Sequence, residues 1–233
     1  MISVKIQNLG LVRNQKWLFR NLDLSIPSGS LVAIVGPSGV GKSSFLSCLS
    51  GLEESTEGKI EYKIDSNSVH TPETIRPNLG IIFQSLRLTE HVTVLENVIY
   101  GKIANYGIKE AIFGFPKKDE EAAFQILKEL GIEKLAHKWT SQTSGGEKQR
   151  TAIARTLNQN PKLILADEPV SNLDTYYTGR VMGLFRGLVE KKKKIIFCAL
   201  HDPQLISKFA DYALSLNPEN PEKWNLREIN QNR

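Results

Sequence analysis

Leu31-Val32-Ala33-Ile34-Val35-Gly36-Pro37-Ser38-Gly39-Val40-Gly41-Lys42-Ser43 is the stretch that decides the fold class. Its first five residues are apolar and rich in β-branched side chains, which suits a short strand buried in a parallel sheet. The next eight match G-x-x-x-x-G-K-[ST] without interruption. Beyond Lys42, apolar residues recur at helical spacing until Gly51, which reads as the stop. Strand, glycine-rich loop and helix together make a phosphate cradle. Glycines let backbone N–H groups close around phosphate oxygens, and the helix N-terminus adds partial positive charge. On this reading Gly36, Pro37, Ser38, Gly39, Val40 and Gly41 surround a polyphosphate, with Ser44 beside them. Lys42 reaches the terminal phosphates and the Ser43 hydroxyl binds magnesium. An ordinary glycine-rich βα turn is the alternative for the loop taken alone.

Outward from the loop, polar residues follow other strand-like runs. Gln84 follows Gly80-Ile81-Ile82-Phe83, Asp167 and Glu168 follow Leu163-Ile164-Leu165-Ala166, and His201 follows Ile195–Leu200. In an open parallel sheet, ligands bind beyond the carboxyl ends of the strands. All these residues are therefore expected near the loop. Asp167 suits a magnesium shell, Glu168 suits polarising a water, and His201 suits a hydrogen bond to a terminal phosphate or that water. Gln84 can reach the metal or the water. Singly, Gln84 also reads as a satisfied loop amide and His201 as a structural histidine.

The remaining chain frames this core. Alternating residues in Val4-Lys5-Ile6, Leu22–Ile26 and Gly58–Ile64 predict antiparallel strands with one solvated face, the first two joined by a turn near Asn14-Gln15. From about 86 to 160 the pattern is helical. Asp119–Leu130 is its clearest element, with Ala123, Leu127 and Leu130 on one face and Gly131 as stop. Further parallel strands are expected at Leu163–Ala166, Ile195–Ala199 and Ala213–Leu216, with a polar surface extension after Asn217. The fold class is thus α/β: one domain over 1–233 with a phosphate-loop core on a mostly parallel sheet. An antiparallel β subdomain precedes the core, and an α-helical subdomain is inserted at 86–160.

Composition agrees with a globular enzyme. The net charge of +5 over 233 residues is mild. Lys191-Lys192-Lys193-Lys194 reads as the solvated end of a helix rather than a nucleic-acid patch. Cys48 and Cys198 sit in apolar surroundings and are expected as reduced core residues. No leader segment or bilayer-length apolar run is evident, so a membrane role is expected to be peripheral.

Thr143-Ser144-Gly145-Gly146-Glu147 lies between the phosphate loop and Asp167 and belongs to neither. A serine N-cap with flexible glycines accounts for it locally. With the other motifs, however, the chain resembles the ATP-binding subunit of an ABC transporter over nearly its whole length. Gln84 matches the Q-loop, Thr143–Glu147 the signature and Leu163–Glu168 the Walker B strand. Ser171-Asn172-Leu173-Asp174 matches the D-loop, and His201 the switch histidine. The resemblance implies a P-loop NTPase that hydrolyses ATP with Mg2+ as a head-to-tail homodimer. Each ATP would lie between one copy's phosphate loop and the other's Ser144, Gly145, Gly146 and Glu147, with Asp174 nearby. It also implies permease partners, a solute-binding protein acting indirectly, and residence at the cytoplasmic face of the cell membrane. No nucleic-acid partner is expected.

Two departures stand out. The family signature usually reads LSGGQ, whereas Thr143 and Glu147 occupy its first and last positions here. The adenine usually stacks on an aromatic near the end of the first strand, where this chain has Arg13, with Trp17 the nearest aromatic. Lys102–Leu127 of the insert, especially Ala111–Asp119, together with Leu200-His201, is similar to importers of phosphonates and related phosphorus oxyanions. Drift within a variable subdomain is the alternative for the insert. An exporter or lipoprotein-release ATPase would use the same chemistry. A non-transport ABC ATPase predicts a long coiled coil or two cassettes, and neither is evident.

Overall fold

A computed structural model describes residues 1–65, 68–106 and 115–229. In chain order the elements begin with β1 (Ile2–Arg13), β2 (Lys16–Ile26), β3 (Ser30–Val35), α1 (Lys42–Ser50), β4 (Glu57–Ile64), β5 (Ser68–His70) and β6 (Leu79–Ile82). There follow α2 (Val94–Ile99), α3 (Lys117–Glu129), α4 (Gly145–Asn158), β7 (Leu163–Asp167) and α5 (Thr175–Lys192). Last come β8 (Ile195–Ala199), α6 (Pro203–Phe209), β9 (Tyr212–Ser215) and β10 (Asn225–Glu228).

The chain forms two compact units. One comprises 1–81, 162–168 and 182–233, and the other 82–161 and 169–181. In the first unit an antiparallel sheet has the order β2-β1-β4-β5, and a second sheet the order β10-β9-β3-β8-β7-β6. In the second sheet β3 runs parallel to both β8 and β9, and β7 parallel to β8. Asn14 and Gln15 adopt left-handed backbone (φ 49° and 61°), closing the β1–β2 hairpin where the polar turn was expected.

Helix α1 lies between the sheets. Its Phe45 meets Phe19 of β2 edge-on at 5.7 Å and Phe197 of β8 at 6.2 Å. Such edge-to-face contacts add to the hydrophobic gain of ring burial. All three rings belong to one continuous core with Val32, Ile34, Leu163 and Leu165. Gly51 ends the helix in the left-handed region (φ 67°). Cys48 and Cys198 are buried free thiols, and burial pushes the Cys48 thiol up to about 12.

In the second unit, α3 begins at Lys117, two residues before the expected start. It buries Ala123, Leu127 and the following Leu130 before Gly131 (φ 68°). The similarity noted for Ala111–Asp119 falls partly on residues 111–114, which lie outside the described residues.

Two sequence expectations need correcting. The strand placed at Gly80–Phe83 is Leu79–Ile82; Phe83 has left the ladder and lies under the Arg87 guanidinium at 3.9 Å. The segment after Asn217 is not merely an extension. Its residues 225–228 pair antiparallel with β9, and Trp224 and Leu226 pack on the core. The polar composition misled because an edge strand needs only one buried face.

Candidate functional site

Register builds the first half of the site. Ile34, Ala199 and Asp167 stand side by side across three adjacent parallel strands. One residue beyond Asp167 is Glu168; two beyond Ile34 and Ala199 are Gly36 and His201. The chemistry therefore collects at one edge of a rigid sheet, as the strand-end rule anticipates.

The phosphate loop is closed by its own lysine. Lys42 Nζ donates to the carbonyls of Gly36 at 2.9 Å and Pro37 at 3.0 Å, and the side chain is only 5% exposed. Gly36, Gly39 and Gly41 have φ of 146°, 80° and 109°. At Gly41, the N-cap of α1, no side chain caps the helix, so its first N–H groups are left to face the loop. At Gly36 an added Cβ would lie 2.8 Å from Val40 Cγ1, so the loop cannot close this tightly around any other residue. Pro37, Ser38, Gly39 and Ser43 remain exposed, which leaves the crown open to an anion.

Beside the loop, the Asp167 carboxylate accepts a hydrogen bond from Ser43. Burial raises the Asp167 pKa above the ordinary 3.8, with Glu168 adding to the rise, against the Ser43 bond and the charges of Lys42 and His201. A group in that state gains from a cation. Two hard oxygens, hydroxyl and carboxylate, fit Mg2+, which takes its other ligands from phosphates and water. Glu168 has left-handed backbone, φ 51°. Its Oε1 meets Nε2 of His201 at 2.7 Å. Each side chain thus fixes the direction of the other.

The two adenine candidates part company. Arg13 is exposed and donates from Nη1 to Ser44 Oγ at 3.0 Å, which ties it to the first turn of α1. Trp17 instead lies over Gly10, where an added Cβ would meet the indole at 2.8 Å. The Arg20 guanidinium covers the same indole at 4.5 Å.

The second unit holds the remaining predicted residues. Ser144 is the N-cap of α4 in a capping box: Ser144 N donates to Glu147 Oε2 at 2.7 Å, and Glu147 N donates to Ser144 Oγ at 3.4 Å. The Ser144 backbone bond holds the Glu147 carboxyl below its ordinary value of 4.5. The departure at Glu147 is therefore a locally satisfied cap. Thr143, the other departure, is 8% exposed and donates its hydroxyl to the Thr140 carbonyl at 2.7 Å. At Gly145 an added Cβ would meet nothing within 4 Å among the described residues, whereas at Gly146 it would lie 3.1 Å from the Asn172 carbonyl. Asp174 accepts from Tyr177 N at 2.9 Å and so caps the start of α5. Gln84 is exposed on a tight loop whose Leu86 and Arg87 have left-handed backbone (φ 57° and 47°). Arg155 of α4 pins that loop by donating to the carbonyls of Leu86 at 2.7 Å and Arg87 at 2.6 Å.

Sequence reasoning missed Gln149 and Arg150. Gln149 is 1% exposed, and its Nε2 donates to the Pro169 carbonyl at 2.8 Å. Arg150 is 8% exposed and stacks on Tyr177 at 3.6 Å. A signal existed: Gln149 shares a helical face with buried Ala152 and Ile153, where a glutamine needs a partner.

Among the described residues no helix is long and apolar enough to cross a membrane. The family model for the ABC transporter matches residues 19–171. The phosphonates import ATP-binding protein PhnC of Fusobacterium nucleatum is 36% identical over 217 residues, 91% of this chain and 88% of that protein. The hypophosphite import ATP-binding protein of Stutzerimonas stutzeri is 34% identical over 90% of this chain and 63% of its own length. A solved dimeric ATP-binding cassette in a post-hydrolysis state, bound to ADP and Pi, superposes with a TM-score of 0.82 at 32% identity. That match covers 97% of this chain and 99% of the other. With the phosphate loop, Asp167, Glu168 and His201 gathered at one sheet edge, this chain belongs to the ABC transporter family as an ATP-binding cassette, an ATPase.

Proposed function

We propose that the chain is the ATPase subunit of an importer for phosphonate or a related phosphorus oxyanion. It works as one functional domain, as a head-to-tail homodimer docked on permease subunits at the cytoplasmic face of the cell membrane. A solute-binding protein delivers the cargo. The observation that carries the catalytic part is the shared register of Ile34, Ala199 and Asp167, which sets the loop, Glu168 and His201 around one space. The cargo reading is supported by relatives at 34–36% identity that are named for phosphonate or hypophosphite import.

In this reading the loop N–H groups and Lys42 hold the triphosphate of ATP, and Arg13, anchored on Ser44, is better placed than Trp17 to stack on the base. Ser43 and Asp167 hold Mg2+, which when bound neutralises charge on the phosphates. Glu168 orients and polarises the attacking water, and His201 holds that carboxylate in position. By family resemblance Gln84 serves the metal or the water, and Ser144, Gly145, Gly146 and Glu147, with Asp174, meet the partner copy's ATP.

The test reconstitutes the chain with its permease and binding protein in proteoliposomes. Methylphosphonate or hypophosphite should stimulate ATP hydrolysis, while a sugar should not. Stimulation by neither oxyanion would remove the cargo assignment. Glu168→Gln should keep ATP binding and trap an ATP-loaded dimer; turnover near that of the native protein would remove Glu168 from its role.

A further inference from the structure

Resting on the composite-site reading above, we infer that Gln149 is a positioning residue that links a protomer's signature segment to its own Glu168. Its carboxamide makes two contacts at once. Nε2 donates to the Pro169 carbonyl at 2.8 Å, and Oε1 accepts from Asn172 Nδ2 at 3.4 Å. Pro169 is the residue that follows Glu168 in the chain, and Asn172 belongs to the segment leading into α5. One buried side chain near the start of α4 thus grips both ends of the 169–172 connection.

Neighbouring contacts make the grip stiff. The Asn172 carbonyl packs against Gly146, so the connection lies directly on the signature glycine. One residue after Gln149, Arg150 stacks on Tyr177, whose own N–H is held by Asp174. Among the described residues Arg150 Nε is buried without a hydrogen-bond partner, and the Tyr177 ring contact helps orient this guanidinium. Residues 144–150 and 169–177 therefore move as one block. Glu168, at φ 51°, has a backbone that a small displacement of Pro169 changes directly. When a partner's triphosphate engages Ser144–Gly146, the shift is carried through Gln149 to Pro169 and sets the direction of the Glu168 carboxylate. Each copy's active site thereby registers that the other copy has bound ATP.

The experiment compares native protein, Gln149→Ala and Gln149→Met in steady-state ATPase assays. It also measures MgATP-induced dimerisation of Glu168→Gln with and without each Gln149 change. Gln149→Met keeps the length and bulk of the side chain but has no N–H to donate to Pro169, so it remains informative if the alanine variant does not fold. Expected for both variants is a kcat about tenfold lower or less, with KM within about twofold. Dimerisation in the Glu168→Gln background should need the same ATP concentration. A native kcat in Gln149→Met would overturn the inference, as would kcat and dimerisation falling together, the pattern of a merely structural residue. If Glu168→Gln alone forms no ATP-dependent dimer, the composite-site reading fails and this inference falls with it.

Discussion

At the end of the lysine run, Lys191, Lys192 and Lys193 are exposed while Lys194 is 7% exposed. Only the first three fit the solvated helix end expected from sequence. Burial, with a smaller contribution from the charge of Lys192, lowers the Lys194 pKa from 10.5 to about 8. The sign follows from linkage. The unfolded chain takes up a proton near pH 10.5 and the folded chain only near pH 8. Lowering the pH between these values therefore favours unfolding, and below pH 8 the penalty is constant. Lys194→Met removes the titration. Its melting temperature relative to the native protein should rise by several degrees as pH falls through that window, then level off. Thermal melts at several pH values check this; a difference independent of pH would mean Lys194 is charged in the folded protein.

Helix α4 is the element on which local stability and function separate most cleanly. Gly145 has open space where a Cβ would stand, so Gly145→Ala clashes with nothing among the described residues and gains up to about 0.5 kcal/mol of helix propensity. Hydrolysis should nevertheless fall about 100-fold, because in the proposed dimer a partner's triphosphate approaches that backbone. Melts and ATPase assays on one preparation test this. An unchanged rate would show that nothing comes close to Gly145. Glu147→Gln is the complementary change. It keeps the capping box, gives up about 0.3–1 kcal/mol of charge–dipole energy, and should lower the ATP concentration needed for dimerisation because, in the proposed dimer, a carboxylate leaves the phosphate site. Dimerisation titrations of the two proteins decide. The start of α4 was legible because a serine cap followed three residues later by glutamate is a local pattern. The work of Gln149 was not: its partner at Pro169 lies 20 residues away, and nothing in the sequence pairs them. The strand–loop–helix of the core was legible for the opposite reason, since Leu31–Ser43 carries its whole geometry in consecutive residues. β10 escaped notice because only Trp224 and Leu226 of its neighbourhood pack inward.

On the scale of the whole molecule, the C-terminal segment ties distant parts of the first unit together. Trp224 Nε1 donates to the Asn21 carbonyl at 3.1 Å, and Arg20 N donates to the Pro221 carbonyl at 2.8 Å. Trp224→Ala should therefore cost about 1–2 kcal/mol, read in denaturant titrations, without changing nucleotide affinity. Assembly gives the last prediction. A single chain carries the phosphate loop, Asp167, Glu168 and His201 in one unit, whereas in the proposed head-to-tail dimer the groups assigned to the triphosphate's far side come from a second copy. Hydrolysis per chain should then rise with protein concentration and level off once dimers dominate, and the rate should depend on ATP with a Hill coefficient approaching about 2. A monomer carrying Ser144→Ala mixed with one carrying Lys42→Ala sharpens the test. Of the two sites in a mixed dimer, one unites both lesions and the other is intact, so mixing two nearly inactive proteins should restore activity. Failure of the mixture, with dimers present by sedimentation, would mean that both lesions act within one chain.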